Sequence, residues 1–195
     1  MKPPRKPARP ITAKYLQNAA AFYLERYPST AEGLRRVLNR RVRKAEVFEA
    51  PVMENVKQAI DSIVAKYVAA GVIDDKAFAQ TKARSLHRRG TSTRLTRQKL
   101  QMAGVDTDTL DPAIAGLDQE LDTDPERRER QAARSLARRK RLGPFRTVGD
   151  RKEHRLRDLA VMARAGFAYD VARKVIDATD VDSLDESKDP SLRSG

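Results

Sequence analysis

Two stretches of this sequence are nearly identical: residues 83–89 read ARSLHRR, and residues 133–139 read ARSLARR. Each stretch is followed by a turn and then by a segment with a shared ending. The shared ending has the pattern apolar-x-x-x-Gly-apolar. It occurs at 100–105 and again at 162–167. Because the match extends to this ending, the sequence predicts an internal repeat.

A weaker copy of the same pattern runs over 15–38, with Val42 where the glycine would stand. Each copy leads into a further apolar segment, at 51–70, about 107–118 and 169–178. The sequence therefore predicts three consecutive units, each of three helices.

The apolar residues recur with the spacing of an α-helix. In the clearest case they form one wide face, made by Val56, Ile60, Ile63, Val64, Tyr67 and Val68. No segment alternates apolar and polar residues for long enough to predict a strand. We predict an all-α protein of about nine helices.

Units of this size bury little surface alone, so we expect three tandem three-helix repeats stacked into an elongated body. The predicted boundaries are 11–70 for repeat 1, 71–123 for repeat 2 and 124–179 for repeat 3. A basic tail at 1–10 and an acidic tail at 180–195 lack apolar periodicity, which predicts disorder.

Several polar residues stand where helices should begin. Ser29 and Glu32 have the spacing of a capping box, and Asp124-Pro125 has the order expected at a helix start. Further caps are predicted at Asp74 or Asp75, at Asp106 or Asp108, and at Asp150 with Glu153. Gly71 is predicted to end the helix before it.

The composition excludes several classes of protein. The chain has 195 residues, a net charge of +13 and no cysteine, which excludes disulfides, cysteine-bound zinc, iron–sulfur clusters and thiol catalysis. No apolar run is long enough for a membrane span, and no signal-peptide core follows the N-terminus. We expect a soluble, cytoplasmic protein with an acidic partner.

The charge lies in blocks along the chain. Residues 82–99 carry seven bases and no acid, and residues 104–125 carry seven acids and no base. Residues 126–157 carry thirteen bases against four acids. Since these blocks also show helical periodicity, we expect charged faces of folded helices.

The strongest candidate for a binding surface is a stripe on the helix predicted to start at Pro125. At 100° per residue, five arginines fall on one face about 80° wide and roughly 21 Å long; they are Arg127, Arg130, Arg134, Arg138 and Arg141. Like charges at this spacing repel one another, and the stripe itself contains no acid. The pattern favours an anionic partner, with pairing to the acidic block 104–125 as the alternative.

The second repeat contains further candidates, namely Arg84, Arg88, Arg94, Arg97 and Lys99. Two helices joined by a turn at Gly90 suggest a helix-turn-helix reader of DNA. Gln98 and Gln101 are the only nearby residues suited to reading adenine, and no aromatic residue lies among these bases. We therefore expect any direct contact with nucleic acid to be independent of sequence.

No motif indicates catalysis, a metal or a cofactor. The acidic run 106–111 lacks the glycine and the final glutamate of a calcium loop. His87 and His154 stand alone, and no phosphate-binding glycine loop or nucleophile–base pair is visible. We predict a protein that is not an enzyme.

Five further segments, spread over 12–178, have a characteristic order and spacing. They are Glu32-Gly33-Leu34-Arg35 with Leu38, residues 71–75 with Phe78-Ala79, Leu100 with Gly104-Val105, residues 137–146, and residues 166–171 with Lys174-Val175-Ile176. Together with the repeat, they resemble the RecX family, regulatory proteins that act on RecA recombinase filaments. The sequence departs from the family pattern at Val42, at Ala168 and in an inserted loop at about 143–151.

The resemblance implies a fold and a function. It implies three tandem three-helix repeats in a curved, elongated body that lies in the groove of the RecA–DNA filament. We expect a monomer, because an elongated monomer needs no oligomer to explain its charged and apolar faces. There the family mainly inhibits recombinase activity, ATP hydrolysis and coprotease stimulation, in DNA repair and the SOS response. Two other functions stay open: sequence-independent binding of nucleic acid without RecA, and an adaptor role for another acidic protein.

Overall fold

A computed structural model describes residues 9–146 and 151–184. The described residues form nine α-helices: α1 (Ala13–Leu24), α2 (Ala31–Val47), α3 (Val56–Ala69), α4 (Asp75–Arg88), α5 (Thr93–Met102), α6 (Thr107–Glu120), α7 (Pro125–Lys140), α8 (Arg151–Arg164) and α9 (Tyr169–Ile176). Two short 3₁₀ helices lie at Gly143–Phe145 and Asp182–Leu184. The all-α prediction is confirmed, and in 9–146 and 151–184 the only β-type pairing is an isolated bridge between Ile11 and Val52.

The chain forms two compact units. Unit 1 comprises residues up to Ala79 together with Gln101–Thr109, and unit 2 comprises Gln80–Leu100 and the residues from Leu110 onward. The helices of the predicted second repeat are divided between these units, because α4, α5 and α6 each have residues in both. No helix in the described part of the chain is long and apolar enough to cross a membrane.

The core of unit 1 lies between α1, α2 and α3. Its fully buried side chains come from all three helices and include Leu16, Leu34, Leu38, Ile60 and Val64. The bridge at Ile11 closes one edge, since the Ile11 amide donates to Pro51 O at 2.8 Å. The first three helices thus share one apolar core within unit 1.

The core of unit 2 explains the repeated stretch. Ala83 and Leu86 in the first copy are buried, and so are Ala133 and Leu136 in the second. Around the second copy, α8, α9 and the turn between them contribute Met162, Phe167, Val175 and Ile176. The alanine and leucine of the repeat therefore face inward, which leaves the arginines between them on the outer faces.

Most of the predicted helix starts are confirmed. Asp124 Oδ1 accepts from Arg127 N at 2.8 Å, Asp74 Oδ1 accepts from Ala77 N at 2.9 Å, and Asp106 Oδ1 accepts from Thr109 N at 2.7 Å. Gly71, with φ +67°, ends the segment after α3 as predicted. The predicted cap at Asp150 lies outside the described residues.

The capping box predicted at Ser29 is wrong by one residue. The N-cap of α2 is Thr30, whose hydroxyl accepts from Gly33 N at 2.8 Å and donates to Ala103 O at 2.6 Å. Thr30 is completely buried, and its long-range bond to Ala103 O explains why Thr30, and not Ser29, caps the helix. Glu32 pairs with Arg36 instead of with the helix start.

Residues 1–8 and 185–195 of the predicted tails and residues 147–150 of the predicted inserted loop lie outside the described residues. The part of the acidic segment that is described ends in the 3₁₀ helix at Asp182–Leu184. Leu184 packs against the core of unit 2.

The turn after α4 lies directly against the backbone of α7. Gly90 has φ +68°, and a Cβ built on it would lie 2.7 Å from Ala132 O and clash with Leu136 N. Gly71 has nearly the same φ, but a Cβ there would meet nothing within 4 Å. Comparing substitutions at the two glycines therefore distinguishes the free-energy cost of a left-handed backbone from the cost of a steric clash with α7.

We expect Gly90→Ala to lower the free energy of unfolding by several kcal/mol and Gly71→Ala by only about 1–2 kcal/mol. A left-handed backbone costs any residue with a Cβ about the smaller amount, and Gly90 adds a clash with backbone atoms that cannot rotate away. Urea unfolding followed by circular dichroism measures both. Equal losses would show that the approach to α7 is not tight.

Candidate partner-binding surface

Three of the predicted stripe arginines line one cleft in unit 2. Arg127, Arg130 and Arg134 border a cleft of about 690 Å³ that Lys174 of α9 also lines. Their side chains are half-buried, with polar groups of Gln131, Thr179 and Ser183 beside them. Lys174 was missed as a candidate because only the packing of α9 on α7 brings it to this face.

The predicted stripe is shorter and less uniform than expected. Helix α7 ends at Lys140, and Arg141 is a left-handed C-cap with φ 54°, so Arg141 does not continue the helical face. Glu126, which lies outside the stripe, pairs with Arg130 at 3.6 Å and offsets part of the charge of this face. Arg138, the exposed end of the stripe, lies over the Phe145 ring at 5.7 Å.

Two of the five candidates in the second repeat pair with acids inside unit 2. Arg84 Nε lies 2.6 Å from Glu120 Oε1, and Arg97 lies 2.5 Å from Asp111. The hydrogen bond from Arg84 lowers the pKa of the Glu120 carboxyl and raises the pKa of the guanidinium, so both groups stay charged at neutral pH. Arg88, Arg94 and Lys99 are exposed.

The acidic block does more inside the protein than the sequence indicated. Asp111, Asp118 and Glu120 pair with arginines, and Asp106 and Asp124 cap helices. The alternative of pairing to this block concerned the α7 stripe. Ion pairs of the block are seen with Arg84 and Arg97, while Asp122 of the block lines the same cleft as Arg127, Arg130 and Arg134. The sequence could not show this, because each pair joins positions on different helices.

One arginine of α7 has a structural position that the sequence did not reveal. Arg128 has a side chain only 6% exposed, pairs with the Asp118 carboxylate and donates to Ile114 O at 3.3 Å. Next to it, Glu129 accepts from Thr93 N at 2.9 Å and Thr93 Oγ1 at 2.6 Å. This polar cluster ties α7 to the end of α6 and to the start of α5.

Two further arginines form ion pairs between segments of the C-terminal part of unit 2. Arg146 pairs with the buried Asp158 at 2.5 Å, and Asp158 also accepts from Gly143 N at 2.9 Å. Arg155 binds both carboxylate oxygens of Asp177 at 2.7 Å, which lowers the pKa of Asp177. Because Asp177 lines the cleft, this pairing reduces the negative charge there.

The described residues contain no cluster of histidine or acidic side chains that could hold a metal ion. Asp74 and Asp75 do not act as a pair, since Asp75 accepts from Ala31 N at the start of α2 while Asp74 caps α4. His87 is half-buried, and this burial, followed by the charge of Arg128, lowers the pKa of His87.

Comparison with known proteins places these features in a family. Residues 74–114 match the sequence model of the second three-helix domain of RecX. The regulatory protein RecX of Myxococcus xanthus is 44% identical over 176 residues, which cover 90% of this chain and 90% of that protein. The chain belongs to the RecX family.

A more distant RecX protein and a solved RecX structure add similarity in sequence and in fold, respectively. The regulatory protein RecX of Agrobacterium fabrum is 29% identical over 178 residues, 91% of this chain and 90% of that one. The crystal structure of RecX from Lactobacillus salivarius matches the fold with a TM-score of 0.57 at 19% identity, covering 84% of this chain and 94% of that chain. The relatives carry the name of a regulatory protein, not of an enzyme.

The structure predicts which arginines hold unit 2 together. Asp118→Asn leaves the buried Arg128 guanidinium without its carboxylate, and we expect a loss of about 3 kcal/mol in the free energy of unfolding. The control is Asp111→Asn, which removes the partner of the half-exposed Arg97 and should cost about 1 kcal/mol or less. Urea unfolding compares the two, and equal losses would contradict a structural role for Arg128.

Proposed function

We propose that this protein binds the RecA–DNA filament and mainly inhibits recombinase activity, ATP hydrolysis and coprotease stimulation, in DNA repair and the SOS response. It would act as a monomer in the cytoplasm, with no catalytic step of its own. The observation that carries the proposal is the 44% identity to a regulatory protein RecX over 90% of both chains. At that coverage, the relative's regulatory role is the best guide to the role of this chain.

The charge of unit 2 supports a polyanionic partner. The cleft beside α7 combines three arginines with Lys174, and Arg138 extends the cationic surface toward the end of the helix. Arginine binds phosphate or carboxylate through two parallel hydrogen bonds, which suits both DNA and acidic protein surface. We propose Arg127, Arg130, Arg134, Arg138 and Lys174 as the main contacts.

The remaining candidates differ in how readily they could contribute. Arg88, Arg94, Lys99 and Arg141 are exposed and could add contacts. Arg84 and Arg97 would first have to exchange Glu120 and Asp111 for groups of the partner. Exposed ion pairs contribute about 0–1 kcal/mol, so the cost of that exchange is small.

Titration into the single-stranded-DNA-stimulated ATPase of RecA tests the proposal. We expect inhibition at substoichiometric to equimolar ratios. The triple variant Arg127→Gln, Arg134→Gln and Arg138→Gln should raise the half-inhibitory concentration at least tenfold, since one charge-assisted hydrogen bond alone contributes about 1.5–3 kcal/mol.

The matched control removes three exposed lysines of unit 1, as Lys57→Gln, Lys66→Gln and Lys76→Gln. It carries the same change in net charge and should inhibit like the wild type. Absence of inhibition by the wild type would refute the filament proposal. Equal loss of inhibition in both triple variants would show that net charge, and not the surface of α7, is responsible.

The second candidate function is sequence-independent binding of nucleic acid without RecA, which the basic helical surfaces favour. If the three α7 arginines neutralise phosphates of duplex DNA, the triple variant should flatten the log–log salt slope of binding by about 2.7. Anisotropy titrations of naked duplex DNA at several salt concentrations measure this slope. Negligible wild-type binding at about 150 mM salt would exclude this function.

A further inference from the structure

Unit 1 contains a pocket that combines tyrosines with cations. It has a volume of about 520 Å³ and is lined by Tyr23, Tyr27, Val37, Arg40, Arg41 and Lys44. This volume falls within the usual range for small-ligand sites, about 300–1,000 Å³. The pocket lies on a different unit from the arginines of α7, and the inference drawn from it does not depend on the filament function proposed above.

The two tyrosines form one aromatic wall at the end of α1. Tyr27 follows Tyr23 by one helical turn, and its amide donates to Tyr23 O at 3.0 Å. The ring centroids lie 5.4 Å apart with an angle of 35° between the planes. Tyr23 packs against the core of unit 1, whereas Tyr27 is 57% exposed. The outer ring therefore offers a face to a ligand and is supported from behind by the inner one.

The opposite wall is one face of α2. Val37, Arg40, Arg41 and Lys44 have the spacing i, i+3, i+4 and i+7, which places them along one side of the helix. Arg41 Nη1 donates to the Tyr15 hydroxyl at 3.3 Å, which holds that guanidinium in place. Arg40 and Lys44 are exposed.

The cations of this wall lack acidic neighbours. In the described ranges, no carboxylate forms an ion pair with Arg40, Arg41 or Lys44, although Arg35 and Arg36 on the same helix pair with Glu32. Like charges three and four residues apart repel by about 0.2–0.5 kcal/mol per pair. A ligand with negative charge would relieve that repulsion.

A nearby arginine is kept away from the pocket by its own contacts. Arg26 lies 3.6 Å from the centroid of the Phe22 ring and pairs with Glu25. Among the described residues, no cation therefore lies over the Tyr27 ring, whereas Phe22 of α1 has one. With 57% of its surface exposed, Tyr27 is accessible to a flat ligand.

We infer that this pocket binds a nucleotide of single-stranded nucleic acid, with the base stacked on Tyr27 and the backbone phosphates against Arg40 and Lys44. Stacking on an aromatic side chain contributes about 1–3 kcal/mol per base and tolerates any base. An acidic peptide would use the cations but gain nothing from the tyrosine face. A duplex offers phosphates but keeps its bases stacked inside, so the single strand fits both walls best.

The test uses the full chain without RecA and two fluorescent probes of equal length and charge. One is a fifteen-residue oligothymidylate, and the other is the same sugar-phosphate chain without bases. Anisotropy titrations should show at least about fivefold tighter binding of the oligothymidylate, the ratio expected from one stacked base. Tyr27→Ala should remove this preference, whereas Tyr27→Phe should keep it.

The cationic wall is tested with the same probes. Arg40→Gln with Lys44→Gln should weaken binding of both probes and flatten the log–log salt slope by about 1.4 for a single strand. Two controls should bind like the wild type: Tyr169→Ala, which removes an exposed tyrosine of unit 2, and Arg43→Gln, which removes an exposed arginine of α2 outside the pocket. Circular dichroism checks that each variant keeps its helices.

Three results would overturn the inference. Equal affinity of the wild type for both probes would show attraction to charge alone. Unchanged oligothymidylate binding by Tyr27→Ala would remove the tyrosine from the site. Competition by poly-glutamate as strong as by unlabelled oligothymidylate would assign the pocket to an acidic protein partner. Because RecA is absent, none of these results bears on the filament proposal.

Discussion

The close approach of the Gly90 turn to the backbone of α7 is the contact on which the packing of unit 2 depends. With 39% hydrophobic residues and no tryptophan, the chain has few large side chains with which to fill a core. It compensates with small residues, since Ala83, Ala132 and Ala133 are buried and Ala132 O lies directly beneath the Gly90 turn. Close packing of backbones restores the dispersion contacts that larger side chains would otherwise make. In each copy of the repeated stretch, alanine and leucine are therefore needed on the buried side, and the arginines lie on the other side.

Arginines therefore have two different roles in unit 2: some are buried and stabilise the fold, and others lie on the surface. On α7, Arg128 turns inward to Asp118 and is almost fully buried, while its neighbour Arg127 borders the cleft. A shift of one position changes the direction of a helical side chain by 100°. The cluster of bases at 126–141 is therefore not one surface, and counting its charge overstates what a partner could contact.

The sequence predicted the helices, the repeat and most of the helix caps, because these depend on local spacing. It failed where a tertiary contact decides the outcome. Thr30 replaced Ser29 as a cap because its hydroxyl also reaches Ala103 O, and Arg141 left the stripe because α7 ends before it. The tyrosine pocket could not be predicted for the same reason: its aromatic wall comes from α1 and the turn after it, and its cations come from α2.

The ion pairs of unit 2 differ in how easily an anionic partner could replace the carboxylate. This difference determines which arginines are available to bind such a partner. Arg84 and Glu120 are both nearly half exposed, so water already screens their attraction, and a phosphate could replace the carboxylate at little cost. Arg128 and Asp118 are shielded from water, and separating them would leave a buried charge unpaired. An anionic partner bound at the α7 cleft would therefore be able to contact Arg84 and Arg97 as well, but not Arg128. Binding could thus extend over the acidic block without loosening the core beneath it.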